Sequence, residues 1–554
     1  MPHGGQVLIE SLINLGGRKA FGVPGESFLA ALDAMHDSRG RLDFVLCRQE
    51  GGAAFMAAAW GKLTGEPGLC FVTRGPGATN ASIGIHTAMQ DSAPMLVFVG
   101  QVATDQKGRE AFQELDYRAV FGTMAKWAVE IDDPARLPEI LLRAWTTATT
   151  GRPGPVVVAL PEDMLSAPCP AAPLTGAARI APPAPDAAAL AEAQALMAEA
   201  ERPLVLVAGA PWLGDAQAAL LRFAEASDIP VVAAFRYQDQ VDNASPCYAG
   251  EAGVGMPPHV ARLIREADTI LALGLRFGEM TTGAWSLLDV PEPRQRVIHV
   301  HASDREIGKV YRPALALHAD PAAVARALTP VRGGWSDWRA QARSDYESAL
   351  QAPPQPSPVD MGAVTRHLQE VLPGDAILTN GAGNFAIWPN KHFRFGRDQR
   401  LLAPQSGAMG YGLPAAIAAR IAHPERCVVC YAGDGDLQMT LQELATAVQH
   451  DAAPIVLVVN NGIYGTIRAH QEQHYPGRVS GTEMTSPDFA ALARAYGLHA
   501  ERVERTEDFP DAFARARAAR SGALLDLDVA AEAIAPRATI TSLREGALHA
   551  KGAL

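Results

Sequence analysis

The sequence lacks long apolar runs and has a deficit of positive charge. No stretch approaches the ~20 apolar residues that a membrane-spanning helix needs. The first residues lack the basic and then apolar order of a secretory signal. Lys and Arg total 48 against 60 Asp and Glu, for a net charge of −12. This balance argues against nucleic acid or an anionic membrane surface as a partner. We therefore expect a cytoplasmic protein.

Cysteine is also scarce, and its placement excludes an obvious metal cluster. Of six cysteines, Cys427 and Cys430 have the spacing of a metal-binding or redox pair. They lie in a β-branched apolar run, where positions three apart face opposite sides of a strand. No second pair accompanies them. We interpret the cysteines as buried, inert thiols.

Proline is concentrated in two stretches, which divide the chain into three blocks. The stretches are 166–186 and 351–359, and such composition favours extended, weakly packed linkers. A chain of 554 residues with 48% hydrophobic residues is long enough for three or four domains at about 150 residues each. We place the domains at 1–165, 187–330 and 360–540.

Each block repeats short apolar strands that alternate with amphipathic helical stretches. Strand-like runs of this kind are Met95–Val99, Val156–Leu160, Leu204–Ala208, Thr269–Leu273, Val297–Val300, Cys427–Ala432 and Ile455–Val459. Continuous apolar strands between helices indicate parallel sheets that are covered on both faces. The predicted fold class is α/β, with three doubly wound parallel-sheet domains. Ligands are then expected in loops beyond the carboxyl ends of the strands.

The most informative segment is 427–465, which reads as a strand, a helix and a second strand. The first strand ends in Gly433-Asp434-Gly435-Asp436 and the second in Asn460-Asn461-Gly462. Because the strands are expected to be parallel, Asp434 and Asn461 should emerge at the same edge of the sheet. A carboxylate, an amide oxygen and a loop carbonyl suit a hard cation such as Mg²⁺, whose remaining ligands come from water and a diphosphate. The glycines allow a backbone approach to that anion.

Gly-Asp-Gly, followed about two dozen residues later by Asn-Asn, is similar to the signature of thiamine-diphosphate enzymes. Essentially the whole chain resembles their acetolactate-synthase-like family. By position, the resemblance implies Asp434, Asn461 and the carbonyl of Ile463 as metal ligands. It places the cofactor's diphosphate at Gly433, Gly435, Asp436, Gly383, Asn384 and Phe385. Asp436 departs from many relatives, which carry Ser or Ala; an extra acid is unfavourable there unless its side chain turns away.

A catalytic acid is the second requirement of this chemistry. The aminopyrimidine of thiamine needs a carboxyl group within hydrogen-bond reach of one ring nitrogen, so that C2 loses its proton. Glu50 precedes a helix rich in Gly and Ala, which is where family members place their catalytic Glu. Glyoxylate carboligases lack that residue, so the presence of Glu50 argues against that branch.

Three further segments match family positions around the reacting part of the cofactor. The 73–80 loop, with Gly75, Pro76 and Asn80, is similar to a loop near the pyrimidine. Gln113 matches a glutamine that reaches the reacting carbonyl. In the 406–414 segment, the resemblance implies that Met409 bends the cofactor and that the carbonyl of Gly407 accepts a hydrogen bond from its amino group.

The resemblance is weaker around the substrate. His470 stands where acetohydroxyacid synthases carry Trp, and Met280 stands where they carry an Arg that binds the second 2-oxo acid. Loss of that cation favours an acceptor without a carboxylate, such as an aldehyde. The paired histidines of pyruvate decarboxylases are also absent. His86, His470 and His474 remain as candidate substrate contacts, although each also suits a surface or packing position.

The middle block leaves FAD open but less favoured. Flavin-binding relatives carry a Gly-rich loop and an acidic Arg-Phe-Asp-Asp turn, which here read Ala208-Gly209-Ala210-Pro211 and Arg276-Phe277-Gly278-Glu279. Pro211 lacks a backbone donor, and Gly278 replaces an acid. The corresponding alternative is an FAD-containing acetolactate synthase or 2-oxo acid oxidase. A second alternative is a non-catalytic relative that only binds the cofactor.

The main expectation is a thiamine-diphosphate- and Mg²⁺-dependent decarboxylase or carboligase. Its substrates would be 2-oxo acids or aldehydes, and it would act through a C2 carbanion and an enamine. The resemblance also implies a homodimer or homotetramer with active sites at the dimer interface, because in the family the Glu-bearing and metal-bearing domains face each other across two chains.

Overall fold

The computed structural model describes residues 1–209, 212 and 215–552, and it contains three six-stranded sheets. In every sheet all neighbouring strands run parallel, with helices between them. Most strand positions are buried because helices cover both faces, and this explains why the strands read as continuous apolar runs. The α/β prediction of three doubly wound parallel-sheet domains is confirmed.

The first sheet lies near the amino-terminal end of the chain. Its strands are β1 (Lys19–Gly22), β2 (Asp43–Leu46), β3 (Gly68–Val72), β4 (Met95–Gln101), β5 (Trp127–Glu130) and β6 (Pro155–Pro161), in the order β2-β1-β3-β4-β6-β5. Its helices are α1 (Gly4–Leu15), α2 (Leu29–Asp37), α3 (Glu50–Thr64), α4 (Gly75–Asp91), α5 (Tyr117–Phe121), α6 (Leu137–Thr149) and α7 (Glu162–Ser166).

The second sheet is formed by the middle of the chain. Its strands are β7 (Pro203–Val207), β8 (Val231–Ala234), β9 (Tyr248–Ala252), β10 (Thr269–Leu273), β11 (Arg296–His301) and β12 (Leu315–His318), in the order β12-β11-β10-β7-β8-β9. The helices are α8 (Ala187–Ala198), α9 (Ala216–Ser227), α10 (Pro258–Glu266), α11 (Glu279–Thr282), α12 (Pro321–Ala327) and α13 (Ser336–Leu350).

The third sheet carries the segment that the sequence singled out. Its strands are β13 (Ile377–Asn380), β14 (Arg400–Leu402), β15 (Val428–Gly433), β16 (Ile455–Asn460), β17 (His499–Val503) and β18 (Ala523–Asp528), in the order β14-β13-β15-β16-β18-β17. The helices are α14 (Met361–Val371), α15 (Gly412–Ala422), α16 (Asp434–Leu437), α17 (Glu443–Gln449), α18 (Gly465–His474), α19 (Phe489–Ala495), α20 (Phe509–Ala518) and α21 (Ile540–Ala550).

One hydrophobic core is shared by the first and third domains. Helices α3 and α15 pack against each other through small residues, among them Ala53, Ala57, Ala415 and Ala419, all buried. Small side chains let two helix backbones approach closely. The Gly-Ala-rich helix that follows Glu50 is therefore a packing surface, which explains its composition.

No helix within the described residues is both long and apolar enough to cross a membrane. All six cysteines are unpaired, and five of them are buried. Cys430 belongs to the core shared by the first and third domains, whereas Cys427 packs against a separate core of the third domain. The two thiols, one just before β15 and one within it, thus face opposite sides of the third sheet, as the sequence predicted.

A buried ion pair of the first domain and an arginine of the middle domain hold one segment of the third domain. Lys62 on α3 donates to Asp91 at the end of α4, at 3.1 Å, and to the main-chain oxygen of Ala403 in the third domain, at 2.6 Å. Asp91 also accepts from the backbone N–H of Gln405 at 2.6 Å. From the middle domain, the guanidinium of Arg236 donates to the main-chain oxygen of Pro404. The 403–405 segment is thus held by both other domains.

We expect that Asp91→Ala destabilises the fold by about 3–5 kcal/mol, because it leaves the buried Lys62 ammonium without its carboxylate. Urea unfolding followed by circular dichroism measures this loss. Asp33→Ala is the matched control, since that acid is on the surface with its side chain 72% exposed. An Asp91→Ala unfolding midpoint equal to that of the control would contradict this account of the junction.

Candidate functional site

The parallel pairing of β15 and β16 places two predicted metal ligands together. Gly433, the last residue of β15, pairs with Val459 near the end of β16. Asp434 and Asn461 therefore leave the sheet at the same edge, and the N–H of Gly462 donates to Asp434 Oδ2 at 2.9 Å. The structure thus shows the proximity that the sequence predicted.

Asp434 is buried and its carboxylate is held by surrounding donors. It accepts from the N–H of Gly435 at 3.0 Å and from the hydroxyl of Ser486 at 2.8 Å, as well as from Gly462. Burial raises the pKa of Asp434, and these hydrogen bonds oppose that rise. Ser486 was not predicted from the sequence. It lies 52 residues beyond Asp434, in a segment without a recognisable motif.

The oxygen ligands available at this edge fit a magnesium ion that is bound together with a diphosphate. Asp434 supplies a carboxylate, Asn461 an amide oxygen and Ile463 a main-chain carbonyl, and oxygen ligands of this kind are those that Mg²⁺ prefers. No cluster of three or more His, Cys, Asp or Glu suitable for a metal occurs in the part of the chain that the structure describes. The cation would therefore complete its shell from the anion and water.

A cavity of about 200 Å³ collects the predicted diphosphate-binding residues. Its walls include Gly383, Asn384, Phe385, Gly407, Met409, Gly433, Asp434, Gly435, Asp436, Asn461 and Ile463. At Gly433 an added Cβ would lie 2.8 Å from the Phe385 ring, and at Gly435 it would lie 2.7 Å from the Tyr464 ring. A side chain does not fit at either glycine, so backbone groups line the cavity, as an anion requires.

Asp436 lies at this cavity, but its carboxylate is engaged elsewhere. Oδ1 accepts from the N–H of Ala382 at 3.0 Å and from the N–H of Gly410 at 2.9 Å. Burial raises the pKa of Asp436 to about 7, although both hydrogen bonds and the charge of Arg236 lower it. The carboxylate is turned toward backbone N–H donors. An acid at this position is therefore compatible with a diphosphate nearby.

The 406–410 loop is held by the first domain. The hydroxyl of Ser406 lies 2.9 Å from that of Thr87 on α4. Gly407 has a φ of 67°, a conformation that favours glycine. The loop presents the half-buried side chain of Met409 to the cavity.

A second group of predicted residues lies together on the first domain. Helix α3 begins at Glu50, whose Oε2 accepts from the amide of Asn80 at 2.9 Å. Gly75 donates its N–H to the main-chain oxygen of Gln113 at 2.9 Å, and Pro76 follows in the first turn of α4. Glu50, Gln113 and the start of α4 thus form one surface. From Gly75 onward the segment is helical, whereas the sequence suggested a loop over residues 73–80.

The two groups do not share a cavity within one chain, because no residue of the Glu50 group lines the cavity at Asp434. Both groups have exposed apolar neighbours. Near Glu50, Ile83 is 43% and Phe112 is 74% exposed; near the cavity, Met439 is 48% and Ile467 is 54% exposed. Each group therefore lies beside an apolar part of the surface of this chain.

Glu443 is a buried residue at this site that the sequence analysis missed. Its carboxylate, on α17 of the third domain, accepts from the N–H groups of Arg48 (3.1 Å) and Gln49 (3.0 Å), just before Glu50, and from the hydroxyl of Thr446 (2.7 Å). Burial raises its pKa. Its signal in the sequence was a charged residue in an otherwise apolar, small-residue helix.

The remaining candidates lie around the middle domain and at α18. A cavity of about 310 Å³ is lined by His86, Arg276 and Met280, among others. Arg276 already donates to Gln90 and Gln405 of the other domains. Ala210 and Pro211, which bear on FAD, lie outside the described residues, so the expectation that FAD is possible but less favoured stays a prediction. His470 and His474 are exposed and their rings stack at 6.2 Å.

Comparison with known proteins covers all three domains. Three family models match: "Thiamine pyrophosphate enzyme, N-terminal TPP binding domain" over residues 2–120, its "central domain" over 190–328, and its "C-terminal TPP binding domain" over 381–527. The chain is 33% identical over 522 residues to the acetolactate synthase large subunit of Parasynechococcus marenigrum, which spans 91% of this chain and 84% of that protein.

Two other relatives show the same extent of similarity. The acetolactate synthase isozyme 2 large subunit of Escherichia coli is 30% identical over 510 residues, which span 91% of each chain. The mitochondrial acetolactate synthase catalytic subunit of Saccharomyces cerevisiae is 31% identical over 555 residues, which span 95% of this chain and 80% of that protein.

We expect that Glu443→Ala lowers the free energy of unfolding by about 2–4 kcal/mol, because the N–H groups of Arg48 and Gln49 and the hydroxyl of Thr446 lose their buried acceptor. Glu443→Gln is the matched control: its amide oxygen still accepts from those groups, and it should lose much less. Urea denaturation measures both. Equal losses in the two variants would show that the charge, rather than the acceptor, is what matters.

Proposed function

Because the chain belongs to the acetolactate-synthase-like family of thiamine pyrophosphate enzymes, we propose that it is a thiamine-diphosphate- and Mg²⁺-dependent decarboxylase and carboligase. Its substrates are 2-oxo acids or aldehydes. One observation carries this proposal: Asp434, Asn461 and the loops around Gly383 and Met409 converge on one cavity at a sheet edge. That arrangement is suited to a metal-bound diphosphate.

The residues of the third domain hold the cofactor in this proposal. Asp434, Asn461 and the carbonyl of Ile463 bind Mg²⁺, and the backbone of residues 383–385 and 433–435 binds the diphosphate. When bound, thiamine diphosphate supplies a carbon nucleophile and an electron sink for the bond next to the substrate carbonyl. Met409 supports the cofactor from one side.

Glu50 handles the proton in this proposal. Its carboxyl group donates a proton to, and accepts it from, one ring nitrogen of the aminopyrimidine. Asn80 donates to Oε2 at 2.9 Å and so orients the carboxylate. Glu443 holds the start of α3 in place through Arg48 and Gln49. Gln113 lies beside the start of α4 and faces the reacting carbonyl in this proposal.

We propose that two chains complete each active site, in a homodimer or a dimer of dimers. The proposal is supported by the separation of the Glu50 group from the cavity at Asp434 within one chain. It is also supported by the exposed side chains of Phe112 and Ile467 beside the two groups. Such a two-fold interface brings the same pair of surfaces together twice.

The acceptor in this proposal is an aldehyde rather than a second 2-oxo acid. Met280 offers no charge at the position where a cation would bind a carboxylate. Arg276, four residues earlier, is engaged by Gln90 and Gln405.

The proposal further includes the domain limits 1–165, 187–330 and 360–540, within which the three sheets lie. A cytoplasmic location is supported by the six unpaired cysteines.

We expect release of carbon dioxide from at least one acid in a panel of 2-oxo acids, only when thiamine diphosphate and Mg²⁺ are both present. Glu50→Gln should lower that rate about 100-fold or more, because the proton transfer loses its carboxyl group. Glu110→Gln, a nearby exposed acid, is the control. Full turnover by Glu50→Gln would refute the assigned role. Oxygen consumption with a yellow, flavin-containing protein would instead favour the oxidase alternative.

Mixing two inactive variants tests the shared site. Glu50→Gln and Asp434→Ala damage opposite halves, so a mixed dimer retains one intact site. Random mixing of equal amounts, after dissociation and reassociation, should restore about a quarter of the wild-type activity per chain. Each variant mixed with itself is the control. No recovery, with mixed dimers shown by mass spectrometry, would mean that each site is built from one chain.

A further inference from the structure

Asp436 connects two loops of the candidate site through hydrogen bonds to its carboxylate. Its Oδ1 atom accepts from the N–H of Ala382, in the 381–385 loop, at 3.0 Å. The same atom accepts from the N–H of Gly410, in the 406–410 loop, at 2.9 Å. One carboxylate oxygen therefore sets the spacing between the loop beside the diphosphate and the loop that carries Met409.

The direction of the side chain follows from the short helix α16. Successive helical residues are rotated by about 100°, so residues two apart point in nearly opposite directions. Asp434 points toward Gly462, in the loop after β16, and toward Ser486, shortly before α19, and both donate to it. Asp436 points toward the other two loops. Helix α16 thus lies between the proposed metal ligands and the 381–385 and 406–410 loops. Asp434 faces the former and Asp436 the latter.

The surroundings of Asp436 are built around its carboxylate. The residue is 3% exposed. A Cβ added to Gly381 would lie 2.0 Å from Oδ1, so only glycine leaves room for the acid. Gly410 has a φ of 81°, which favours glycine, and its carbonyl accepts from the hydroxyl of Thr440 at 2.7 Å. The buried guanidinium of Arg236 donates to the carbonyl of Gly381 at 3.4 Å and balances the charge.

We propose that Asp436 is a positioning residue for the cofactor, which acts by fixing the 381–385 and 406–410 loops relative to each other. It touches the reacting groups only through these loops. The inference rests on the proposed function for the identity of the ligand. It concerns a side chain that the recognised metal and acid–base roles do not use.

The first test measures binding of thiamine diphosphate with Mg²⁺, without substrate, by quenching of tryptophan fluorescence. Asp436→Ala should raise the Kd about 10- to 100-fold, because the two loops lose their common acceptor. Asp436→Asn keeps an acceptor oxygen and should restore most of the affinity. Asp451→Asn, an exposed acid of the same domain, is the matched control. Wild-type affinity in Asp436→Ala would overturn the proposal.

Turnover separates positioning from simple folding. At saturating cofactor, kcat of Asp436→Ala should fall while KM for the substrate changes little, and Asp436→Asn should recover kcat. A parallel loss in Asp436→Asn and Asp436→Ala would overturn the proposal. If the wild-type protein binds no thiamine diphosphate, the proposed function fails first, and this outcome is distinct from normal binding by the variants.

Hydrogen exchange of the cofactor-free protein provides a readout that does not depend on catalysis. A second variant, Asp436→Ser, is measured in case Asp436→Ala does not fold. In Asp436→Ser the side chain is too short to reach both amides. Peptides that contain residues 381–385 and 406–410 should then exchange faster together, whereas peptides of the first domain sheet should not change. Unchanged exchange in both loops would show that Asp436 does not connect them.

Discussion

The 403–405 segment is held by charged groups from two other domains. The 406–410 loop, which carries Met409, follows this segment directly and depends on its position. Asp91 accepts from the backbone of the 403–405 segment, Lys62 donates to it, and Arg236 of the middle domain does the same. All three side chains are almost fully buried, where hydrogen bonds to charged groups are strong and their loss is costly. Met409 follows shortly after, so its position is decided by contacts among three domains.

The same packing explains why the candidate site is divided. Parallel sheets place functional loops at the carboxyl ends of their strands. In the first domain this edge carries Glu50, and in the third it carries Asp434. The two domains of one chain pack through α3 and α15, and the two edges do not meet in one cavity. In the dimer that we propose, a second copy of the chain supplies both missing surfaces at once.

Two buried acids in this protein accept hydrogen bonds from backbone N–H groups of loops. Asp436 accepts from two loops of the third domain, and Glu443 accepts from the residues before Glu50. Burial raises the pKa of both, since desolvation disfavours the charged form. Loops at an active site cannot pair their amides with a neighbouring strand, and a carboxylate satisfies several of them from a single position.

The sequence alone determined the α/β class, because continuous apolar strands between helices leave few other arrangements. It also determined that Asp434 and Asn461 lie together, since parallel neighbours end at one edge. Only the tertiary structure decided that Glu443 supports the start of α3, 395 residues away, and that Asp436 turns from the cavity. The Glu443 contact depends on how separate domains pack, and the Asp436 contacts depend on how two loops of the third domain pack against α16. That packing is set by shape and burial across the whole chain, and it leaves no periodic pattern in the sequence.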